Sequence, residues 1–325
     1  MSLSENSKNT VDLAKLTGSV ELLVDEFVLT GKIAGNYEII IPDGATVTLN
    51  KAKTNGLVCK GDCTIILAEN TRNTVKGTRC DCPGIFVPEG KTLTIDGNGS
   101  LNVSSENAAG IGAGCGMSCG NVVIKNGTIK AVGGLEGAGI GGACISGNDK
   151  VTYGDVIIYG GSVIVKGGYC AAGIGTGANY DAEASFGNIT IKGGVVEAKG
   201  GLGGAGIGTG PVGVDCCKPC KSLIKSITIS GGSVNAKGAG PAAGIGTGWP
   251  CYKDSSTSVE SITITDDVIE VTATRGKNPP GRCCIGVGGR NPRGTSIVGS
   301  ITIGGKVTEG IEKSSFTYKP KKTNH

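Results

Sequence analysis

The feature that most constrains this chain is a phrase that it repeats. "NITIKGGVVEAKGGLGGAGIGTG" at 188–210 returns as "SITISGGSVNAKGAGPAAGIGTG" at 226–248, as "DVIIYGGSVIVKGGYCAAGIGTG" at 155–177 and as "NVVIKNGTIKAVGGLEGAGIGGA" at 121–143. Looser copies begin at Val47, Cys63, Lys91 and Ser261, and a truncated one at Ser300. A repeat of this kind signals one supersecondary unit that buries its apolar residues only by stacking on its neighbours. The central apolar residue of the glycine segment marks each unit: Leu57, Ile85, Ile111, Ile140, Ile174, Ile207, Ile245 and Ile285.

Within a unit the period is two. Ile189 and Ile191 face one way and Thr190 the other; Val196 and Ala198 point inward, Glu197 and Lys199 outward. Glycine dipeptides separate the short runs, and no stretch sustains a helical period. A doubly wound sheet needs a helix after each strand, and a sandwich does not need one phrase so many times. The pattern therefore predicts an all-β, right-handed parallel β-helix of about 8 coils, each of three short strands, with variable loops at one corner. Composition agrees. Only 4% of residues are aromatic, as suits a thin core built of Ile, Val and Ala. The segment 1–46 is expected to cap the first coil, 47–307 to form the solenoid, and 308–325 to be a tail or cap.

"GGAGIGTG" at 203–210 resembles a phosphate-cradling loop, but that motif occurs once and opens a helix. This phrase recurs and leads into a loop and another strand. Its glycines are expected to leave a strip free of side chains on the outside.

The chain has one histidine, His325, so Ser–His–Asp and Cys–His chemistry is excluded. The net charge of +4 is scattered, which implies no nucleic-acid partner, and no apolar run is long enough to cross a membrane as a helix. Fourteen cysteines favour an oxidising, extracellular or cell-surface setting, although "MSLSENSKNT" carries no signal peptide. Cys59, Cys63, Cys80, Cys82, Cys115, Cys119, Cys216, Cys217, Cys220, Cys251, Cys283 and Cys284 are the disulfide candidates, with Cys59–Cys82 and Cys63–Cys80 as bridges between coils. No cofactor is implied. The one conceivable metal position is a Ca²⁺ pair at Asp266 and Asp267, which replace a glycine turn; a solvated acidic turn explains them as well.

Two places are candidates for ligand binding. Across coils, outward residues form files: Asn102, Lys130, Glu197, Asn235 and Glu270 in one, and Lys166, Lys199, Lys237 and Thr272 in the next. Coils stack about 4.8 Å apart, so three lysines form a ladder that suits a linear acidic polymer. The alternative is that these lysines serve solubility. The second place is the loop corner, which holds Trp249, Tyr252, Tyr180 and Tyr153, aromatics suited to stacking on sugars.

The phrase at 188–210, with "GKTLTIDGNGSLNVSS" at 90–105 before the repeats, resembles Gly-rich β-helix repeats of surface and secreted proteins from anaerobic Gram-positive and gut bacteria. These are described as carbohydrate-binding-domain-containing proteins. The resemblance spans roughly 47–307 and implies an extracellular solenoid that engages a polysaccharide or host glycan, or acts as an adhesin. It carries no catalytic residues. The alternatives are a polysaccharide lyase or glycoside hydrolase on this scaffold, and a structural module that binds protein.

Overall fold

The computed structural model describes residues 9–23, 25–78, 81–147, 150–213, 218–289 and 294–321. The chain is a parallel β-helix. The Ile-Thr-Ile strands form a first wall, as in Thr92–Gly97, Asn121–Ile124 and Val156–Ile158, which pair in parallel and in register. A glycine turn leads to the second wall, with Ser100–Ser104, Thr128–Val132, Ser162–Lys166, Val195–Leu202, Ser233–Ala239 and Glu270–Thr274 stacked in that order. The third wall is a 10-stranded parallel sheet among the described residues. One file runs through it: Val20, Ile39, Leu57, Ile85, Ile111, Ile140, Ile174, Ile207, Ile245 and Ile285.

From Leu57 to Ile285, every residue of this file is fully shielded from solvent. Burying such a side chain is worth roughly 1.5–3 kcal/mol, and each one gains it from coils above and below. That is why the phrase must repeat.

Stacking begins upstream of residue 47. Val20–Glu21, Glu26–Lys32 and Ile39–Ile41 already pair in parallel with the coil that follows each. Phe27, Leu29, Ile39 and Ile41 are buried as inward residues of these coils, so the described part of 1–46 extends the solenoid. The other end is closed differently. Lys306–Thr308 runs antiparallel to the last first-wall strand, Ser315–Tyr318 runs antiparallel to Glu270–Thr274, and Ile311 bridges antiparallel to Ile285. A reversed segment therefore covers the end of each of these three walls, and blocks further pairing there.

The later corner insertions are more than loops. Residues 150–153, 183–186, 221–224, 256–259 and 295–298 stack as a fourth wall in the file Lys150, Glu183, Lys221, Ser256, Thr295. From the second of these on, the strand runs straight into the first wall, as in Glu183–Ile191. This extra wall widens the core enough for rings. Tyr153 and Phe186 are buried with centroids 5.8 Å apart, so Tyr153 is a core residue and not an exposed platform.

Two polar ladders knit the coils. At the corner before the first wall, Asp62 N–H donates to Asp43 Oδ1 (2.6 Å), Thr92 N–H to Asp62 Oδ1 (2.7 Å), Asp155 N–H to Asn121 Oδ1 (2.8 Å) and Asn188 N–H to Asp155 Oδ1 (2.7 Å). The Asp62 N–H, with the Lys91 ammonium beside it, holds the Asp43 carboxyl below its ordinary value. In the "GIGTG" segments the threonine hydroxyl accepts from the glycine N–H of the next coil: Gly210 to Thr176 (2.8 Å), Gly248 to Thr209 (2.7 Å) and Gly288 to Thr247 (2.8 Å).

The glycine strip does not lie on the outside. All residues of 203–213 are buried. Gly208 has φ +145°, and a Cβ there would sit 1.7 Å from the carbonyl oxygen of Gly246 in the next coil. Gly142 and Gly141 face the Tyr153 and Phe186 rings, 2.7 and 2.8 Å from where a Cβ would stand. The glycines are there because a neighbouring coil or ring takes the space a side chain would need.

Candidate functional site

The second wall carries the candidate site: its outward residues form a groove whose charges have no ionic partner among the described residues. Register fixes the files. Val132, Lys166, Lys199, Lys237 and Thr274 form one; Lys130, Ile164, Glu197, Asn235 and Thr272 form the next. The lysine ladder expected from the repeat is therefore in place. The last coil corrects the expectation by two residues: Thr272 pairs with Asn235, and Glu270 pairs with Ser233. Its turn is longer because Asp266 and Asp267 stand where the coil before has Gly231 and Gly232, and Gly232 has φ +72°. An aspartate does not take that conformation cheaply, so the chain goes on to Ile269 before the strand begins.

A groove of about 210 Å³ follows these files, lined by Lys130, Val132, Ile164, Lys166, Glu197, Lys199, Asn235 and Lys237. A second depression of about 190 Å³ shares Glu197 and Asn235 and continues to Val195, Ser233, Glu270 and Thr272. The structure thus brings together six residues of the outward files expected from the sequence: Lys130, Lys166, Lys199, Lys237, Glu197 and Asn235. It adds Ile164, with Val132 at the end of the lysine file. Ile164 was legible as an apolar residue at an outward position, and it is 43% exposed.

The charges of the groove are unneutralised. Lys60, Lys76, Lys91, Lys150 and Lys319 each pair with a carboxylate. Among the described residues Lys130, Lys166, Lys199, Lys237 and Glu197 have no such partner. The backbone positions that carry these lysines are one coil, about 4.8 Å, apart, and ammonium groups brought to that distance repel by about 0.9 kcal/mol per neighbouring pair in a water-like dielectric, and by less in salt. An anion laid along the file removes that repulsion. Asn235 Oδ1 is shielded from water and has no hydrogen-bond partner, which leaves an unused polar group beside the lysines.

The loop aromatics lie elsewhere. Tyr180, Trp249 and Tyr252 sit near the bridged file Ile145, Asn179, Val212 and Pro250, beyond the third wall, and all three are half-buried. Trp249 N–H donates to Gly203 O (2.9 Å), and the Tyr180 hydroxyl donates to Glu136. None of them lines the lysine groove. Two other tyrosines are more open: Tyr169 is 62% exposed, and Tyr159 is 47% exposed with the Lys192 ammonium 4.8 Å from its ring centre.

Cys115 is bonded to Cys144 of the next coil, with Cα atoms 4.9 Å apart. Each stands four residues past a stacked isoleucine, Ile111 or Ile140, so the pairing follows from register. Cys59 and Cys63 face each other with sulfurs 2.6 Å apart, in place of the expected Cys59–Cys82 bridge. That contact and burial push the Cys59 thiol far up. Cys80, Cys216 and Cys217 lie outside the described residues. Cys119 is buried with its sulfur 3.7 Å from Gly141 O, and burial raises its pKa to about 12. Cys220 Sγ is 3.4 Å from Ser255 Oγ, Cys251 Sγ is 3.6 Å from Trp249 O, and Cys82 is half-buried. Burial also raises the thiols of Cys283 and Cys284.

The Asp266 carboxylate accepts from the Tyr318 hydroxyl of the C-terminal segment, and Asp267 N–H and Oδ2 both engage Thr265. The pair thus serves a turn and the cap. Among the described residues, no group of three His, Cys, Asp or Glu is placed to hold a metal.

A family model described as a beta helix repeat matches residues 122–144, 156–178, 189–211 and 227–249. No curated protein and no solved structure matches the chain. Each matched stretch runs from the first wall through the third. Each also supplies one pair to the groove: Lys130 with Val132, Ile164 with Lys166, Glu197 with Lys199, and Asn235 with Lys237.

Proposed function

We propose that this β-helix is a non-enzymatic carbohydrate-binding module of a secreted or surface protein, and that its second wall engages a polysaccharide. The observation that carries this reading is the groove itself. It crosses four coils and combines an apolar side chain, an amide and unpaired charges on a sheet in parallel register. Sugar polymers present that mixture of apolar ring faces and hydroxyls, and a wall that need not reorganise loses little entropy on binding. A hydrolase would need two carboxylates free to act across the cleft; Glu197 is the one in the lysine groove, and Glu270, which borders the adjoining depression, is paired with Lys319 at 3.1 Å.

A glycan array followed by lysine-acetylation footprinting with the retained glycan bound tests this. Lys130, Lys166, Lys199 and Lys237 should be protected several-fold, while Lys225, exposed at the junction of the fourth and first walls, should react as in the free protein. Retention of no glycan, or protection confined to the Trp249 corner, would refute the reading.

A further inference from the structure

We infer that the groove takes a linear anionic polysaccharide along the solenoid axis, with three consecutive acidic groups on Lys166, Lys199 and Lys237 and a ring face on Ile164. This rests on the glycan-binding reading and specifies its ligand.

The lysine file is finite. Val132 precedes Lys166 and Thr274 follows Lys237, so three cations stand in consecutive coils with an uncharged residue at each end. Their spacing is that of the coils, about 4.8 Å. An extended chain of six-membered sugar rings advances by a similar distance per residue, so a polymer with one anion per sugar, bound in the conformation that turns successive anions to one edge, stays in phase with the ladder. Strands in parallel register cannot drift, and the phase is therefore built into the fold.

The neighbouring file fixes where the anions can lie. Glu197 is adjacent to Lys199, and its carboxylate repels a second anion placed over it. The acidic edge of the polymer is thus confined to the lysine side, and the hydroxyl-bearing edge faces Glu197 and Asn235, which accept and donate hydrogen bonds. Lys130 and Ile164 precede them in that file, so its two ends differ chemically and the polymer has a preferred direction. No aromatic residue lines the groove, which removes the stacking on which single-stranded nucleic acids rely.

The test uses size-defined oligogalacturonates, which carry one carboxylate per sugar, in calorimetric titrations against the intact protein. Affinity should rise about tenfold from the dimer to the trimer and less than twofold per added residue beyond it. Each of Lys166→Gln, Lys199→Gln and Lys237→Gln should weaken trimer binding about fivefold at low salt, the size of a good exposed ion pair. Lys225→Gln should change nothing. Ile164→Gln should weaken trimer binding several-fold and leave binding of inorganic tripolyphosphate as it was. Fully methyl-esterified oligomers, equal in shape and uncharged, should not bind.

Equal binding of the esterified series would overturn the anionic ligand and leave the glycan-binding reading standing. Absence of the step at three would overturn the three-site register. Insensitivity of trimer binding to Ile164→Gln, with tripolyphosphate bound as tightly, would reduce the site to a patch of charge and overturn the sugar contact. Failure of the protein to retain any glycan, charged or neutral, would remove the reading on which this inference rests.

Discussion

Thr209→Val tests what the threonine of "GIGTG" is for. Thr209 is fully buried, and its hydroxyl accepts the Gly248 N–H of the next coil at 2.7 Å. Valine keeps the shape and removes the acceptor. A buried N–H left without a partner costs about 1–3 kcal/mol. The added methyl returns at most about 0.8 kcal/mol of apolar burial, so the net loss should be about 1.5 kcal/mol. For a chain of this length that lowers the melting temperature by about 2 °C. The assay is urea unfolding, with hydrogen exchange read on a peptide that covers Gly248. Stability in a solenoid is a sum over neighbouring coils, so faster exchange should be confined to the coils of Ile207 and Ile245. Thr228→Val is the reference. Thr228 is half-buried in the outward file of the first wall, and its hydroxyl makes no hydrogen bond among the described residues. Its substitution should stay within about 0.5 kcal/mol of the parent. If Thr209→Val costs no more than Thr228→Val, and Gly248 exchanges at the parent rate, the threonine ladder does not hold the coils together.

Peptide mapping without reductant should recover Cys115 linked to Cys144; reduction of that bridge, which closes a separation of 29 residues, should lower stability by about 3–4 kcal/mol in urea unfolding. The pH dependence should show the buried Cys119 thiol. Its pKa is raised to about 12 from the ordinary 9.0, so its contribution is complete below pH 9 and is lost as pH rises towards 12, at up to about 1.4 kcal/mol per pH unit. Cys119→Ala should flatten that alkaline limb, with the remaining slope due to other buried groups, among them the neighbouring Tyr153, whose hydroxyl burial also raises. An unchanged slope would contradict this account.

Much of the site was legible because the repeat aligns itself. Lys166, Lys199 and Lys237 occupy one position of one phrase, and parallel pairing converts equal positions into neighbours. The same logic would have found Cys115 and Cys144. It fails where a turn changes length. In the coil from Ser261 the turn through Asp266 and Asp267 is two residues longer, and a shift of two preserves which residues face in and out. Alternation alone therefore could not separate Glu270 from Thr272. The fourth wall was hidden for a related reason. Its segments, such as Glu183–Phe186 and Lys221–Ile224, share no phrase, and they are strands only because the coils beside them hold them in stack.

What the sequence by itself determined is the coil: strand, glycine turn, strand, buried isoleucine, and the files of outward residues. The reason is that a period of two and a repeated phrase leave one way to bury those side chains. What only the tertiary structure decided is which surface is open. "GGAGIGTG" reads as an exposed strip, yet Gly208 abuts the next coil and Gly142 abuts the Tyr153 ring, so the strip is interior. Tyr153 reads as a loop aromatic, yet it fills the core of the fourth wall. Exposure depends on what packs against a residue from distant parts of the chain, and packing of that kind leaves no local mark in the sequence.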